Sequence, residues 1–345
     1  MSGLTIPPRL ALGDTVAVVS PSFGALGTWP HRAERGIEFL RHWGLEVKIM
    51  PNAREATGWT AGTPQQRADD LHAAFADPAV KLILCSIGGN HSNQLLPLLD
   101  HDLIAAHPKW FQGYSDITVL HWALQKRARL ATIYGTALVT GLAEYPDVLP
   151  FTARWLRALW FGAEPLRYEP ADGWTDEFLD WDEKQDLTRA RELRPSEGWV
   201  TLRPGRAAGP VAGGCLETIC WHLKGSSEWL DLNGSILLLE TSEEAPSPAH
   251  VEAYLTDLEQ LGVFNAVSGL LFARPINYTA DDARLLWEVV ERVTDPAGIP
   301  VLANVEAGHT DPMLAVPLGI PAHLDAEAKR FEVPDSSPEY ALHGA

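Results

Sequence analysis

From Val80 to Ile87 the chain reads VKLILCSI, almost continuously apolar, and it runs straight into Gly88-Gly89. A strand with one wet face alternates apolar and polar residues, so an unbroken run fits a parallel strand covered on both faces. Parallel strands need crossover helices, and the flanking sequence supplies both kinds of element. Thr15–Ser20 (TVAVVS) and Leu45–Met50 read as strands, and between them Ile37, Phe39, Leu40 and Trp43 fall near helical spacing within His31–Trp43. Thr63-Pro64 opens a further helix as N-cap and first helical residue, with Gln66 completing a capping box. Lys109–Tyr114 leads into Ser115, and an amphipathic helix is expected over Ile117–Arg129. This rhythm predicts an α/β domain with a doubly wound parallel sheet. Ligands in such sheets bind beyond the carboxyl ends of the strands, where Gly88-Gly89 and Ser115 fall.

Further along, the rhythm stops. Glu164–Glu197 carries eleven acidic and five basic residues, includes Trp174 and Trp181, and has poor periodicity. That profile suits a connection or lid. Short apolar runs resume after Gly209, at Ser235–Leu239, Gly269–Phe272 and Ile299–Leu302, with one clear helix at His250–Leu261. The expected organisation is an N-terminal α/β domain over 1–163, a connecting segment over 164–206 and a C-terminal strand-rich α+β domain over 207–345. A length of 345 residues agrees with two cores.

Composition removes several function classes. With 27 Lys+Arg against 45 Asp+Glu the net charge is −18, which disfavours a nucleic acid polymer or an anionic membrane as partner. No apolar run reaches the roughly 20 residues of a membrane span. The opening residues lack the basic and apolar regions of an export signal, so a cytoplasmic location is expected. Cys85, Cys215 and Cys220 have no zinc spacing and read as buried thiols. No HExxH or comparable ligand pattern occurs, and neither metal nor cofactor is expected.

Three residues stand at the ends of expected strands with side chains suited to acyl chemistry. Ser115, in Gly113-Tyr114-Ser115-Asp116, sits between strand and helix like a nucleophile elbow, although Ile117 replaces the second glycine of that motif. An ordinary helix N-cap serine is the competing reading. Glu240 closes the apolar run SILLL and needs a partner to offset desolvation. His309 lies in the glycine-bearing loop Glu306-Ala-Gly-His-Thr, where a solvated histidine is the competing reading. Serine, acid and histidine follow one another in an order known from one convergent triad. Between Lys224 and Arg274 there is no Lys or Arg, while eight acidic residues lie in that stretch. Most of these suit a solvated face, yet acidic surroundings favour an amine-bearing substrate.

The runs SIGGNHSNQLLPLLD, FQGYSDITVLHWAL, GGCLETICWHLKGS, LLLETSEEAPSPAHVEAYL and NVEAGHTDPMLAVPLG resemble the LD-carboxypeptidase family of serine peptidases, in the family's order across residues 86–319. Glu240-Thr241-Ser242-Glu243-Glu244, Gly214-Cys215-Leu216-Glu217 and the acidic Trp-bearing segment resemble its microcin C self-immunity branch more closely. Murein-recycling members tend to have Asn where Cys215 stands, and proline is commoner at Thr136. The resemblance implies an α/β domain followed by a strand-rich one, a cytoplasmic homodimer, and a triad of Ser115, Glu240 and His309. It implies hydrolysis of the amide joining an aminoacyl or peptidyl group to a nucleotide, with a tryptophan stacked on the base. Trp181 is the first choice for that stacking residue and Trp174 the second. Backbone N–H groups of Gly88, Gly89 and Asp116 are expected to form the oxyanion hole. The alternatives are release of terminal D-alanine from murein tetrapeptide, and a non-catalytic nucleotide- or peptide-binding protein.

Overall fold

The apolar run at Val80–Cys85 lies inside a sheet, as a doubly covered strand must. The computed structural model describes residues 3–162 and 164–334; the outer limits of the expected domains, at 1, 163 and 345, fall outside them. In chain order the strands are β1 (Thr15–Val19), β2 (Glu46–Ile49), β3 (Val80–Cys85), β4 (Trp110–Gly113), β5 (Thr132–Tyr134), β6 (Leu166–Tyr168), β7 (Gly173–Trp174) and β8 (Arg194–Pro195). They continue as β9 (Val200–Arg203), β10 (Arg206–Cys215), β11 (Ile236–Glu240), β12 (Gly269–Ala273), β13 (Val301–Val305), β14 (Val316–Leu318), β15 (Pro321–Asp325) and β16 (Arg330–Val333).

The first sheet has the order β14-β5-β4-β3-β1-β2. Its strands β1 to β5 pair parallel, and β14 adds an antiparallel edge against β5. Helices Pro30–His42 and Pro64–Ala76 connect the early strands. Both hydrogen bonds of the capping box form, Gln66 N–H to Thr63 Oγ1 at 3.2 Å and Thr63 N–H to Gln66 Oε1 at 2.9 Å.

The second sheet has the order β6-β16-β15-β10-β11-β12-β13-β9. Its centre, β10 to β13, is parallel, and antiparallel pairs flank it. Helices Pro248–Gln260 and Ala280–Thr294 make the crossovers β11-to-β12 and β12-to-β13. Strand β11 is buried on both faces: Leu237 and Leu239 pack with Val251, Leu255 and Val290, while Ile236 and Leu238 belong to the larger core. The two sheets do not split the chain at one point. Strand β6 comes before residue 207 yet joins the second sheet, and β14, which lies between second-sheet strands β13 and β15 in sequence, joins the first.

The helix after Ser115 differs from its expected character. It runs Thr118–Arg127, and every residue from Thr118 to Gln125 is buried. It is therefore not amphipathic, because the second domain covers the face that would otherwise be wet. Trp122 Nε1 donates to the Gly213 carbonyl at 2.9 Å, and Cys215 N–H donates to Thr118 Oγ1 at 3.0 Å. The helix that carries the serine is thus bonded to β10, next to the strand that carries Glu240.

Candidate active site

Ser115 stands one residue beyond the end of β4, after Tyr114, and has φ +64, a left-handed conformation that disfavours any residue with a Cβ. Such strain persists only where the surroundings over-determine it. Its N–H donates to Tyr134 Oη at 3.1 Å. Gly88 lies against it: a Cβ at Gly88 would meet Ser115 Cβ at 2.9 Å and Oγ at 3.2 Å, with the Asp116 nitrogen 3.3 Å away. The Asp116 carboxylate does not face the serine. Its Oδ2 accepts from His91 N–H at 3.1 Å and Ser92 N–H at 2.9 Å, which ties the loop after Gly88-Gly89 to the serine turn.

Glu240 ends β11 with its side chain fully buried, and His309 follows β13 in the loop. His309 Nδ1 is 2.7 Å from Glu240 Oε2, and Nε2 is 3.1 Å from Ser115 Oγ. The carboxylate thus has the partner its burial requires. Residue 308 must be glycine for this approach, since φ is +83 and a Cβ there would lie 2.3 Å from Glu240 Oε2. Serine, histidine and glutamate come from three strand ends in two sheets and meet in one chain of contacts.

Above them opens a cavity of about 400 Å³. Phe23, Trp29, Phe178 and Trp181 supply its apolar surface, with Ser115, His309, Gly88 and Gly89 also in the lining. Trp181 has the Arg32 guanidinium 4.2 Å over its ring and Trp29 edge-on at 4.9 Å. Trp174 is placed differently. It does not belong to the lining, and its ring lies 4.1 Å from the Arg194 guanidinium and 5.0 Å from that of Arg274. The acidic segment is fastened over the first sheet by Asp186, which pairs with Arg32 at 2.6 Å and Arg35 at 3.1 Å. Arg191 pairs with Glu144 and, at 2.7 Å, with Asp311.

Burial opposes a charged His309, but the Glu240 carboxylate and hydrogen bonds to Glu240 and Glu243 outweigh it, holding the imidazole well above its ordinary range. Desolvation by the protein atoms beside it works against ionised Glu243 although its side chain reaches solvent, yet its bond to His309 pulls it down to about 2. Burial, aided by Glu240, raises Glu217, whose Oε1 accepts from Ser242 N–H at 2.9 Å and Oγ at 2.7 Å. Burial raises all three thiols, Cys85, Cys215 and Cys220. They have little thiolate character.

Two residues at the centre, Glu243 and Tyr134, lie outside the site expected on sequence grounds. Glu243 reaches His309 Nε2 at 2.9 Å from an exposed loop position. Tyr134 donates from Oη to Glu240 Oε1 at 2.5 Å while accepting from Ser115 N–H. One phenol thus joins the serine backbone to the acid. Tyr134→Phe leaves a buried carboxylate oxygen and a buried N–H without partners, so a stability loss of about 1–3 kcal/mol is expected. Turnover should fall about tenfold as both groups lose their orientation. Thermal melts and steady-state kinetics on the variant check both, and unchanged values would show that the bridge is idle.

Comparison with known proteins follows the same lines. The LD-carboxypeptidase N-terminal domain profile matches residues 16–135, and the LD-carboxypeptidase C-terminal domain profile matches residues 208–324. The chain is 33% identical over 331 residues to the microcin C7 self-immunity protein MccF of Escherichia coli, covering 94% of each chain. It is 30% identical over 339 residues to a probable murein peptide carboxypeptidase of Bacillus subtilis (strain 168), covering 97% of this chain and 96% of that one. The solved structure of MccF in complex with glutamyl sulfamoyl guanosine superposes with a TM-score of 0.87 at 31% identity, covering 96% of this chain and 99% of that one.

Proposed function

This chain belongs to the LD-carboxypeptidase family of serine peptidases, and from that premise we propose that it hydrolyses the amide of aminoacyl or peptidyl nucleotides through Ser115, His309 and Glu240. That it is a hydrolase of the carboxypeptidase type follows from the family and its relatives. The observation that carries the finer reading is His309 standing between Ser115 Oγ and Glu240 Oε2, beneath a cavity of nucleoside size with aromatic walls.

In this mechanism His309, oriented by Glu240, takes the Ser115 proton as Oγ attacks the amide carbonyl. Backbone N–H groups of Asp116 and the Gly88-Gly89 turn meet the developing oxyanion. His309 then protonates the leaving nitrogen, and water clears the acyl-enzyme. Trp181, held by Arg32 and Trp29, is the platform for the base.

Two features favour this reading over its alternatives. A murein peptide presents a terminal carboxylate, which calls for an uncommitted cation, whereas both arginines of the cavity lining are already paired with carboxylates. A purely binding protein has no use for the strained backbone at Ser115. Parallel assays with an aminoacyl sulfamoyl adenosine and an L,D-tetrapeptide test the substrate. The nucleotide compound is expected to show kcat/KM at least ~10-fold higher, a difference of about 1.4 kcal/mol in transition-state binding. The reverse order would overturn the substrate assignment while leaving the hydrolase intact.

A further inference from the structure

Among the described residues six carboxylates line the cavity, and five of them are matched by arginine. Glu144 and Asp311 pair with Arg191, Asp176 with Arg194, Glu177 with Arg189, and Asp186 with Arg32 and Arg35. Glu243 is the sixth. Among the described residues its ion-pair partner is His309 Nε2, at 2.9 Å.

That nitrogen is the one facing Ser115 Oγ at 3.1 Å, while Nδ1 faces Glu240 at 2.7 Å. Each ring nitrogen carries at most one proton, and both carboxylate contacts attract only when both nitrogens are N–H donors. An imidazolium has no lone pair with which to accept the serine proton. The arrangement of the free protein therefore keeps its base occupied.

The other ionisable groups around His309 do not offer a release. Glu240 is fully buried and also accepts from Tyr134. Asp311 is tied to Arg191, and the Tyr114 ring packs 5.0 Å from the imidazole with its phenol pushed up by burial. Glu243 is different, with a side chain 67% exposed. The backbone before it is pinned, because Ser242 donates twice to buried Glu217. Moving the Glu243 carboxylate needs only side-chain rotation.

We infer that Glu243 is a specificity-determining residue. In the free protein it holds His309 in its protonated resting form, and it turns to an ammonium group on the acyl portion of the substrate when that substrate binds. This rests on the serine-hydrolase reading above and adds to it the charge of the acyl group. On transfer, the Nε2 proton leaves to solvent. The neutral imidazole then takes the Ser115 hydroxyl proton as the Oγ–carbon bond forms, and delivers it to the leaving nitrogen as the carbon–nitrogen bond breaks.

The test pairs a substrate-free readout with a substrate series, on the wild type and Glu243→Gln. The rate of Ser115 phosphonylation by a fluorophosphonate, followed against pH, reports the protonation of His309 without any substrate. Its acid limb is expected to move down by about one pH unit in Glu243→Gln, as loss of a nearby opposite charge requires. The series is alanyl, N-acetylalanyl and Nα-acetyl-lysyl sulfamoyl adenosine. Wild type is expected to prefer at least one amine-bearing compound over N-acetylalanyl by ~10-fold, and the variant to narrow that gap. Preference for alanyl places the ammonium at the α position; preference for the acetyl-lysyl compound places it on the side chain. Coincident labelling profiles, or no amine preference in the wild type, would overturn the proposal. Absence of labelling at Ser115 at every pH would instead overturn the hydrolase reading beneath it.

Discussion

Ser115→Ala and Ser115→Gly are both expected to lower turnover by roughly 10³-fold to 10⁶-fold, the usual consequence of removing a nucleophile. The two variants should differ in stability. Alanine keeps the Cβ and with it the strain of φ +64, whereas glycine adopts that conformation freely. A left-handed residue costs about 1–2 kcal/mol when it carries a Cβ, and glycine gives back part of this through its more flexible unfolded chain. Ser115→Gly should therefore melt above Ser115→Ala by the equivalent of about 1 kcal/mol while both stay inactive. Substantial turnover in both variants would remove Ser115 as the nucleophile. Equal melting points would mean that the surroundings relax the turn, so that no strain is stored there.

The contrast between this turn and its neighbours shows what a sequence can carry. VKLILC announces a doubly covered strand because burial on both faces is written residue by residue, and β3 is that strand. The Thr63 cap is local too, and both of its hydrogen bonds form. Ser115, Glu240 and His309 could be picked out because each follows an apolar run, and strand ends are where parallel sheets expose functional groups. The helix Ala280–Thr294 carries the same kind of local signal, with Thr279 as cap and Leu286, Val289, Val290 and Val293 buried on one side.

What escaped depends on which strands lie side by side. Tyr134 matters because β5 pairs with β4, which brings its phenol beneath the serine turn, and no periodicity within its own segment reports that. The helix after Ser115 reads as amphipathic by itself and is buried all along Thr118–Gln125, because β10 belongs to the second sheet and packs there. Charge behaves in the same way. The acidic stretch between Lys224 and Arg274 looked unbalanced, yet Glu228 pairs with Arg127, Glu252 with Arg292 and Asp257 with Lys224, and only Lys224 lies at the stretch's own edge. With these three paired, Asp231, Glu240, Glu243, Glu244 and Glu259 remain, and of these five it is Glu243 that lines the cavity. An overall charge of −18 was a property of the composition; the selectivity argued for it belongs to one side chain.

Glu240→Gln is expected to lower turnover by about 10³-fold to 10⁴-fold with little change in fold, because it retains shape and loses an acceptor. Glu240 accepts twice, from His309 Nδ1–H and from Tyr134 Oη–H. A glutamine offers one oxygen and one amide group to the same two neighbours. If its amide faces His309, Nδ1 must accept, Nε2 carries the proton, and the ring cannot take one from Ser115. If its oxygen faces His309, the amide meets Tyr134, whose hydroxyl proton then has no acceptor. Neither arrangement supplies the negative charge that stabilises the imidazolium. The pH dependence carries the sign of this loss. His309 is held above its ordinary range in the native protein, so its contribution to stability is fully present below about pH 6.5 and disappears as pH rises through the raised value. The melting-point gap between wild type and Glu240→Gln should therefore be widest in mild acid and shrink toward alkaline pH. A gap that does not vary with pH would show that Glu240 does not set the protonation of His309, and wild-type turnover in the variant would show that His309 needs no carboxylate to orient it.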